Sequence, residues 1–344
     1  MGFKCGIVGL PNIGKSTLFN AITKTQSAEA ADYPFCTIEP NIGKISVPDE
    51  RLEKLAKIAN SKKIIYNQIN IVDIAGLVAN AHRGEGLGNK FLGNVREVDA
   101  ILHMVNCFNS KTPVEDIEII EMELLMSDLQ MIEKKINSVK KNKAEVEELK
   151  YLYEHLNSGK HPNELDKNIQ IDHLNLITAK PYIYICNLPE EDTEESKKLV
   201  QTVRDYSKAK NTKIITISAK IEEEISMLEE EEQQEMLNDL GIEESGLNKI
   251  SRAGYELLDL LTFFTIGEKE ARAWSVLNNA TAPQAAGVIH TDFERGFIKA
   301  ETISYKDYIE YNGESGCREN GKLLINGKDY IVQDGDVLHF KFNV

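Results

Sequence analysis

Gly9-Leu10-Pro11-Asn12-Ile13-Gly14-Lys15-Ser16 is the stretch that decides the fold. It fits G-x-x-x-x-G-K-[ST], follows the apolar run Lys4–Val8 and opens a helical run near Ser16–Thr23. Strand before and helix after is the context that gives this pattern its meaning. Glycines let backbone N–H groups curl around phosphate oxygens, and the helix N-terminus adds a positive partial charge. In such a loop Lys15 reaches the β- and γ-phosphates of a nucleotide, and Ser16 offers its hydroxyl to Mg²⁺.

Downstream, Ile69–Ile74 is a second apolar strand and ends in Asp73-Ile74-Ala75-Gly76, a D-x-x-G element. Asp73 is placed to hold Mg²⁺, through a water, and Gly76 to present its N–H to a γ-phosphate. Between the two motifs, Thr37 lies in Pro34-Phe35-Cys36-Thr37-Ile38-Glu39-Pro40-Asn41. A loop threonine there can ligate Mg²⁺ by its hydroxyl and sense the γ-phosphate. The three pieces describe a nucleotide switch. Ras-like switches follow this glycine with a glutamine that orients water. Here the residue is Leu77, which cannot polarise water, so His82 in the Gly-rich stretch that follows is the candidate water-positioning group.

Guanine-specific sites read the base with N-K-x-D after a later strand. The strand Pro181–Cys186 instead ends in Asn187-Leu188-Pro189-Glu190. Leu188 replaces the lysine and the longer Glu190 displaces the carboxylate. Adenine would leave a rigidly aimed carboxylate unpaired, so both changes relax guanine preference, and Asn187 can still bond the N7 and N6 edge of adenine. Ser218-Ala219-Lys220, after the next strand, matches the S-A-K element that packs beside the base in this class. The site reads as ATP-preferring and leaves GTP binding open.

Short apolar strands at Ala100–Cys107, Pro181–Cys186 and Lys213–Ile217 alternate with helical stretches, which implies a mostly parallel sheet covered on both faces. Between the first two, the stripes Leu125, Leu129, Ile132, Ile136, Val139 and Val146, Leu149, Tyr153, Leu156 have coiled-coil spacing. An antiparallel hairpin turning near Lys140–Glu145 is expected, one unbroken helix being the alternative. Ile221–Glu235 reads as a solvated, Glu-rich helix face. From about Thr281 a small α+β module is expected, with strands at Gly287–His290, Gly296–Ser304, Leu323–Ile325, Asp329–Val332 and Val337–Phe342. Asn326-Gly327 signals a tight hairpin turn within it.

The chain has 344 residues, enough for two or three domains, and a net charge of −15. Such a protein is repelled by nucleic acid except through a local basic patch. Lys134, Lys135, Lys140, Lys141 and Lys143 near the hairpin tip are the candidate for such a patch, a solvated coiled-coil face being the alternative. Five cysteines without a CxxC pair argue against zinc, and reduced thiols fit a cytoplasmic location. Cys5, Cys107 and Cys186 read as buried, while Cys36 leaves a redox role open. No membrane-spanning run, secretory signal or myristoylation signal is expected.

With these residues in hand, the chain resembles the YchF / Obg-like ATPase family over nearly its full length. The matching runs are GLPNIGKSTLFN at Gly9–Asn20, Phe35–Asn41, DIAGL at Asp73–Leu77, GEGLGNKFL at Gly84–Leu92, Asn187–Glu190, APQAAGVIHTDFERGF at Ala282–Phe297, and Asp329–Val344. The resemblance implies an α/β P-loop NTPase domain of the G type (1–113 with 175–277), an inserted helical coiled-coil hairpin (114–174) and a C-terminal ubiquitin-like, β-grasp TGS domain (278–344). It implies that Asn12, Ile13, Gly14, Lys15, Ser16 and Thr17 hold phosphates, that Ser16 and Thr37 coordinate Mg²⁺, and that Leu188 contacts adenine. It also implies an ATPase that associates with the ribosome and ribosomal RNA, with protein partners linked to oxidative stress in some members; Leu77 in place of the glutamine makes a low intrinsic rate the expectation. The alternatives are an Obg-type GTPase switch and a nucleotide-gated, non-catalytic stress regulator.

Overall fold

In a computed structural model the described residues are 3–31, 41–74, 87–139, 142–165 and 172–343. The chain parts into two compact units. The larger holds Phe3–Lys44 and Asn70–Ile250; the smaller holds Ile45–Ile69 and residues 251–343.

The larger unit begins with β1 (Lys4–Val8) and α1 (Lys15–Ala31), followed by β2 (Ile42–Val47) and β4 (Asn67–Asp73). Then come α3 (Leu87–Glu97), β5 (Ala100–Asn106), α4 (Pro113–Ser138), α5 (Lys143–Asn157), β6 (Tyr182–Asn187) and α6 (Glu194–Ala209). It closes with β7 (Ile214–Ile217), α7 (Ala219–Ile225), α8 (Glu230–Asp239) and the start of α9 (Gly246–Leu257). Among the described residues its sheet has six strands in the order β2-β4-β1-β5-β6-β7. β1 is parallel to both β4 and β5, and β5-β6-β7 continue parallel. The first six residues of β5 are buried, as a strand covered on both faces requires. One face packs two clusters, Val8, Phe91, Leu92, Val95, Ile101 and Ile120 in one and Val105, Tyr184, Cys186 and Val203 in the other; the opposite face carries the buried Cys5, Ile7, Leu102, Met104, Ile183 and Ile185. The chain order reverses around β1, and such a switch point places a ligand crevice beyond the strand ends.

The hairpin forms. α4 and α5 pack through Leu129, Ile132, Leu149, Leu152 and Leu156, joined by Leu174 and Leu176. Pro113 stands in the first turn of α4, where a missing N–H costs nothing. Lys140 and Lys141, at the expected turn, lie outside the described residues.

The smaller unit carries α2 (Glu50–Ala59), β3 (Ile64–Ile65), β8 (Leu260–Ile266), β9 (Ala271–Leu277), α10 (Ala282–Ile289) and α11 (Thr291–Arg295). β10 (Phe297–Ser304), α12 (Tyr305–Glu310), α13 (Glu314–Glu319), β11 (Leu324–Asn326) and β12 (Asp336–Phe342) complete it. Its sheet runs β11-β10-β12-β8-β9-β3 and mixes parallel and antiparallel pairs.

Three expectations need correction here. The module does not begin at 278. β8 and β9 form its sheet, with Phe263 and Phe264 fully buried, and 45–69 joins it because β3 pairs with β9 at Ile64↔Ala271. Gly287–His290 is not a strand but the end of helix α10, which starts with a capping box of Thr281 and Gln284 and has a proline in its first turn. Asp329–Val332 forms no hairpin with β11. Ile331 makes an isolated bridge to Thr281, while β11 pairs with β10. Among the described residues no helix is long and apolar enough to cross a membrane.

Candidate nucleotide site

The loop between β1 and α1 has the conformation its glycines predict. Gly14 has φ +94°, and a Cβ there would collide with the Asn187 side chain. Gly9 has φ +153°, and a Cβ there would collide with Ile13 and with the Met104 carbonyl. Both positions therefore demand glycine. Asn12 takes a left-handed φ of 62°, which asparagine tolerates. The first helical bond of α1 runs from Leu18 N to Gly14 O at 3.0 Å.

Lys15 is only 7 % exposed. Its Nζ donates to Gly9 O at 2.9 Å and to Leu10 O at 2.5 Å, the carbonyls of its own loop. Burial lowers its pKa, and the opposite charge of Asp73 works against that shift. Asp73 answers in kind: burial raises its carboxyl and Lys15 lowers it. The two sense each other because β4 pairs Asp73 with Ile7, beside the residue that leads into the loop. Ser16 is exposed in the first turn of α1. A hydroxyl and a carboxylate are the hard oxygen donors that suit Mg²⁺. Asp73 N donates to Asn41 O at 3.0 Å, so the chain returning from Thr37 is anchored at its described end to the Asp73 backbone. Thr37, Gly76, Leu77 and His82 themselves lie outside the described residues.

On the base side, Asn187 ends β6 and is 5 % exposed. Its Nδ2 donates to Ile13 O at 2.9 Å, and its Oδ1 accepts from Ala219 N at 2.9 Å. One side chain thus ties the phosphate loop to the Ser218-Ala219-Lys220 turn. The sequence pointed to Asn187 as a base contact but gave no sign of this tie. Leu188 donates its N–H to Ile217 O at 2.7 Å, and its partly buried side chain packs on the cluster that holds Cys107 and Cys186. Ser218 is the N-cap of α7, its Oγ 3.5 Å from Ile221 N.

Two further contacts were not foreseen. Glu190 forms an ion pair with Lys220, both side chains substantially exposed. Glu222, within the expected solvated face, is buried and accepts from Gly246 N at 2.6 Å and Leu247 N at 3.1 Å. It thereby satisfies two orphan donors at the start of α9. Opposite charges 30 residues apart are too common to signal a pair.

Comparisons with known proteins agree with this fold. A family model described as "50S ribosome-binding GTPase" matches residues 4–144, and a YchF-GTPase C-terminal model, described as a protein of unknown function, matches 260–343. "Ribosome-binding ATPase YchF" of Haemophilus ducreyi is 51 % identical over 365 residues, covering 100 % of both chains. The protein of that name from Bacillus subtilis is 45 % identical over 367 residues, again with 100 % coverage of both. A solved structure of the Schizosaccharomyces pombe YchF GTPase superposes with a TM-score of 0.87 at 36 % identity, over 99 % of this chain and 98 % of that one. Whole-length identity, the fold and the phosphate loop agree: the chain belongs to the YchF family.

Proposed function

We propose that the chain is a Mg²⁺-dependent switch that binds and hydrolyses ATP and associates with the ribosome. The observation that carries ATP over GTP is the Glu190–Lys220 pair. Reading guanine takes a carboxylate aimed at the base, and here Glu190, which stands at that place in the motif, is paired with Lys220. Leu188 offers adenine an apolar surface, and Asn187 keeps one Nδ2 hydrogen beyond its bond to Ile13 O. Relatives named ribosome-binding ATPases support the reading. The fission-yeast relative named a GTPase makes GTP the competing ligand.

In this account Lys15 exchanges the carbonyls of Gly9 and Leu10 for β- and γ-phosphate oxygens, a change from dipoles to full charges. The backbone of Asn12–Thr17 cradles the phosphates, and Gly76 offers its N–H to the γ-phosphate. Ser16, Thr37 and Asp73 would hold Mg²⁺. When bound, the ion neutralises charge developing on the phosphate oxygens. Leu77 cannot orient the attacking water, which leaves that task to His82 and implies a low intrinsic rate.

Ribosome association is assigned to the hairpin tip, where Lys134 and Lys143 are exposed on an acidic protein. Co-sedimentation with ribosomes in Mg·ATP tests it. The unaltered chain is expected to pellet with ribosomes, and Lys134→Glu with Lys143→Glu to weaken binding at least about fivefold, about 1 kcal/mol. Equal pelleting of the double variant would remove the tip from the account. No pelleting of the unaltered chain would remove the ribosome.

A further inference from the structure

The smaller unit holds a cavity of about 510 Å³, a volume typical of small-ligand sites. Its walls are the end of β10, the first turn of α12, residues leading into β12, and Arg51 of α2. Three cations, Arg51, Lys306 and Lys322, and three carboxylates, Asp307, Asp334 and Asp336, line it.

Four of the six satisfy one another. Arg51 NH1 donates to Asp334 Oδ2 at 2.6 Å, while its Nε and NH2 bond Asp49. Asp334 Oδ1 accepts from Thr262 N at 2.9 Å. Lys322 Nζ lies 3.0 Å from Asp307 Oδ1. That leaves Lys306 and Asp336. Lys306 is exposed and has no ion pair among the described residues. Asp336 is 4 % exposed. Its Oδ2 accepts from Tyr330 OH at 2.7 Å and Gln333 N at 2.9 Å, whereas Oδ1 accepts no hydrogen bond among the described residues. Burial pushes this carboxyl up, and a cation placed against it would relieve that penalty.

The two groups are neighbours in the fold. Ser304 pairs with Asp336 across β10 and β12, Tyr305 N donates to Gly335 O at 3.1 Å, and Lys306 comes next along the chain. A purely anionic ligand would meet three carboxylates, one of them buried. A purely cationic one would meet three cations and leave Lys306 without a partner. The charges left over are one of each sign.

We propose that this cavity binds a small zwitterion of the α-amino-acid class, its ammonium group on Asp336 and its carboxylate on Lys306. The volume leaves room for a side chain beside Tyr305, Tyr330 and Leu324, which also line the cavity.

The test uses the full-length protein and the twenty common L-amino acids, offered one at a time in ligand-observed NMR. At least one is expected to bind more tightly than about 10 mM. Its N-acetyl and its amide derivatives, each lacking one charge, should bind at least about tenfold more weakly. Lys306→Ala changes an exposed side chain and should weaken binding as much. Asp336→Asn should do the same, and Lys306→Ala decides the matter if that buried variant fails to fold. The proposal is overturned if no amino acid binds below that concentration. It is equally overturned if the N-acetyl form binds as well as the free amino acid, or if Lys306→Ala binds like the unaltered chain.

Discussion

Asn187→Ala takes two bonds from the nucleotide site at once, leaving the Ile13 carbonyl and the Ala219 N–H without that partner. Each orphaned group costs about 1–3 kcal/mol when buried. The variant should lose about 2–6 kcal/mol of stability and bind nucleotide more weakly, because the phosphate loop loses its link to the Ser218 turn. Chemical denaturation and nucleotide titration measure the two effects, and an unchanged affinity would show that the tie does not position the loop. A second residue makes the fold acid-sensitive. His103 on β5 is 4 % exposed, beside the Tyr184 ring, and burial pushes its pKa down to about 4. The unfolded chain takes up this proton as pH falls through about 6.5. The folded chain does so only near pH 4. The stabilising contribution is therefore full above the unfolded value and is lost as pH falls from one to the other, up to about 3 kcal/mol. Urea unfolding at stepped pH should show that slope, and His103→Gln should flatten it. An unaltered slope in the variant would assign the acid sensitivity to other groups. At this scale the phosphate loop was legible because its glycines are fixed by local backbone geometry. The Asn187 tie was not, because its partners lie 174 and 32 residues away.

Among the elements, α4 is held to the sheet domain by a buried carboxylate. Asp128 is 0 % exposed and accepts from Ile177 N at 3.2 Å, Thr178 N at 2.8 Å and Thr178 Oγ1 at 2.8 Å. Arg96, in the last turn of α3, completes the set at 2.8 Å. Asp128→Ala should cost about 3–5 kcal/mol, since it leaves the Ile177 and Thr178 amides and the Thr178 hydroxyl without that acceptor and takes the carboxylate from Arg96. Hydrogen exchange in α4 and the 175–178 segment should rise more than in β8 and β9, and uniform exchange would contradict this clasp. The hairpin itself was legible from its stripes, and the parallel strands from their apolar runs. α10 was misread because Ala282–Ile289 is so uniformly apolar that no period shows. The T-x-x-Q capping signal and Pro283 were there to be weighed against the strand reading.

At the scale of the whole molecule, the site motifs and the family resemblance were readable, while the division into units was not. Ile45–Ile69 belongs with residues 251–343 through Leu52, Leu55 and Ala56 of α2, buried against Phe264, Ala271 and Ile303, and through a two-residue strand, Ile64–Ile65, paired with β9 more than 200 residues on. Sequence periodicity reports a residue's neighbours along the chain and carries no signal for such a pairing. In the proposed reading the loop after β1, the strand end at Asp73 and the turns after β6 and β7 together form an ATP site. That reading is tested by titrating the full-length protein with fluorescent ATP and GTP analogues, each competed with unlabelled nucleotide, in Mg²⁺ and again in excess chelator. The account predicts ATP binding at least about tenfold tighter than GTP, about 1.4 kcal/mol, with affinity reduced by the chelator and both nucleotides lost in Lys15→Ala. GTP binding tighter than ATP by that margin would contradict it and make the chain a guanine-nucleotide switch.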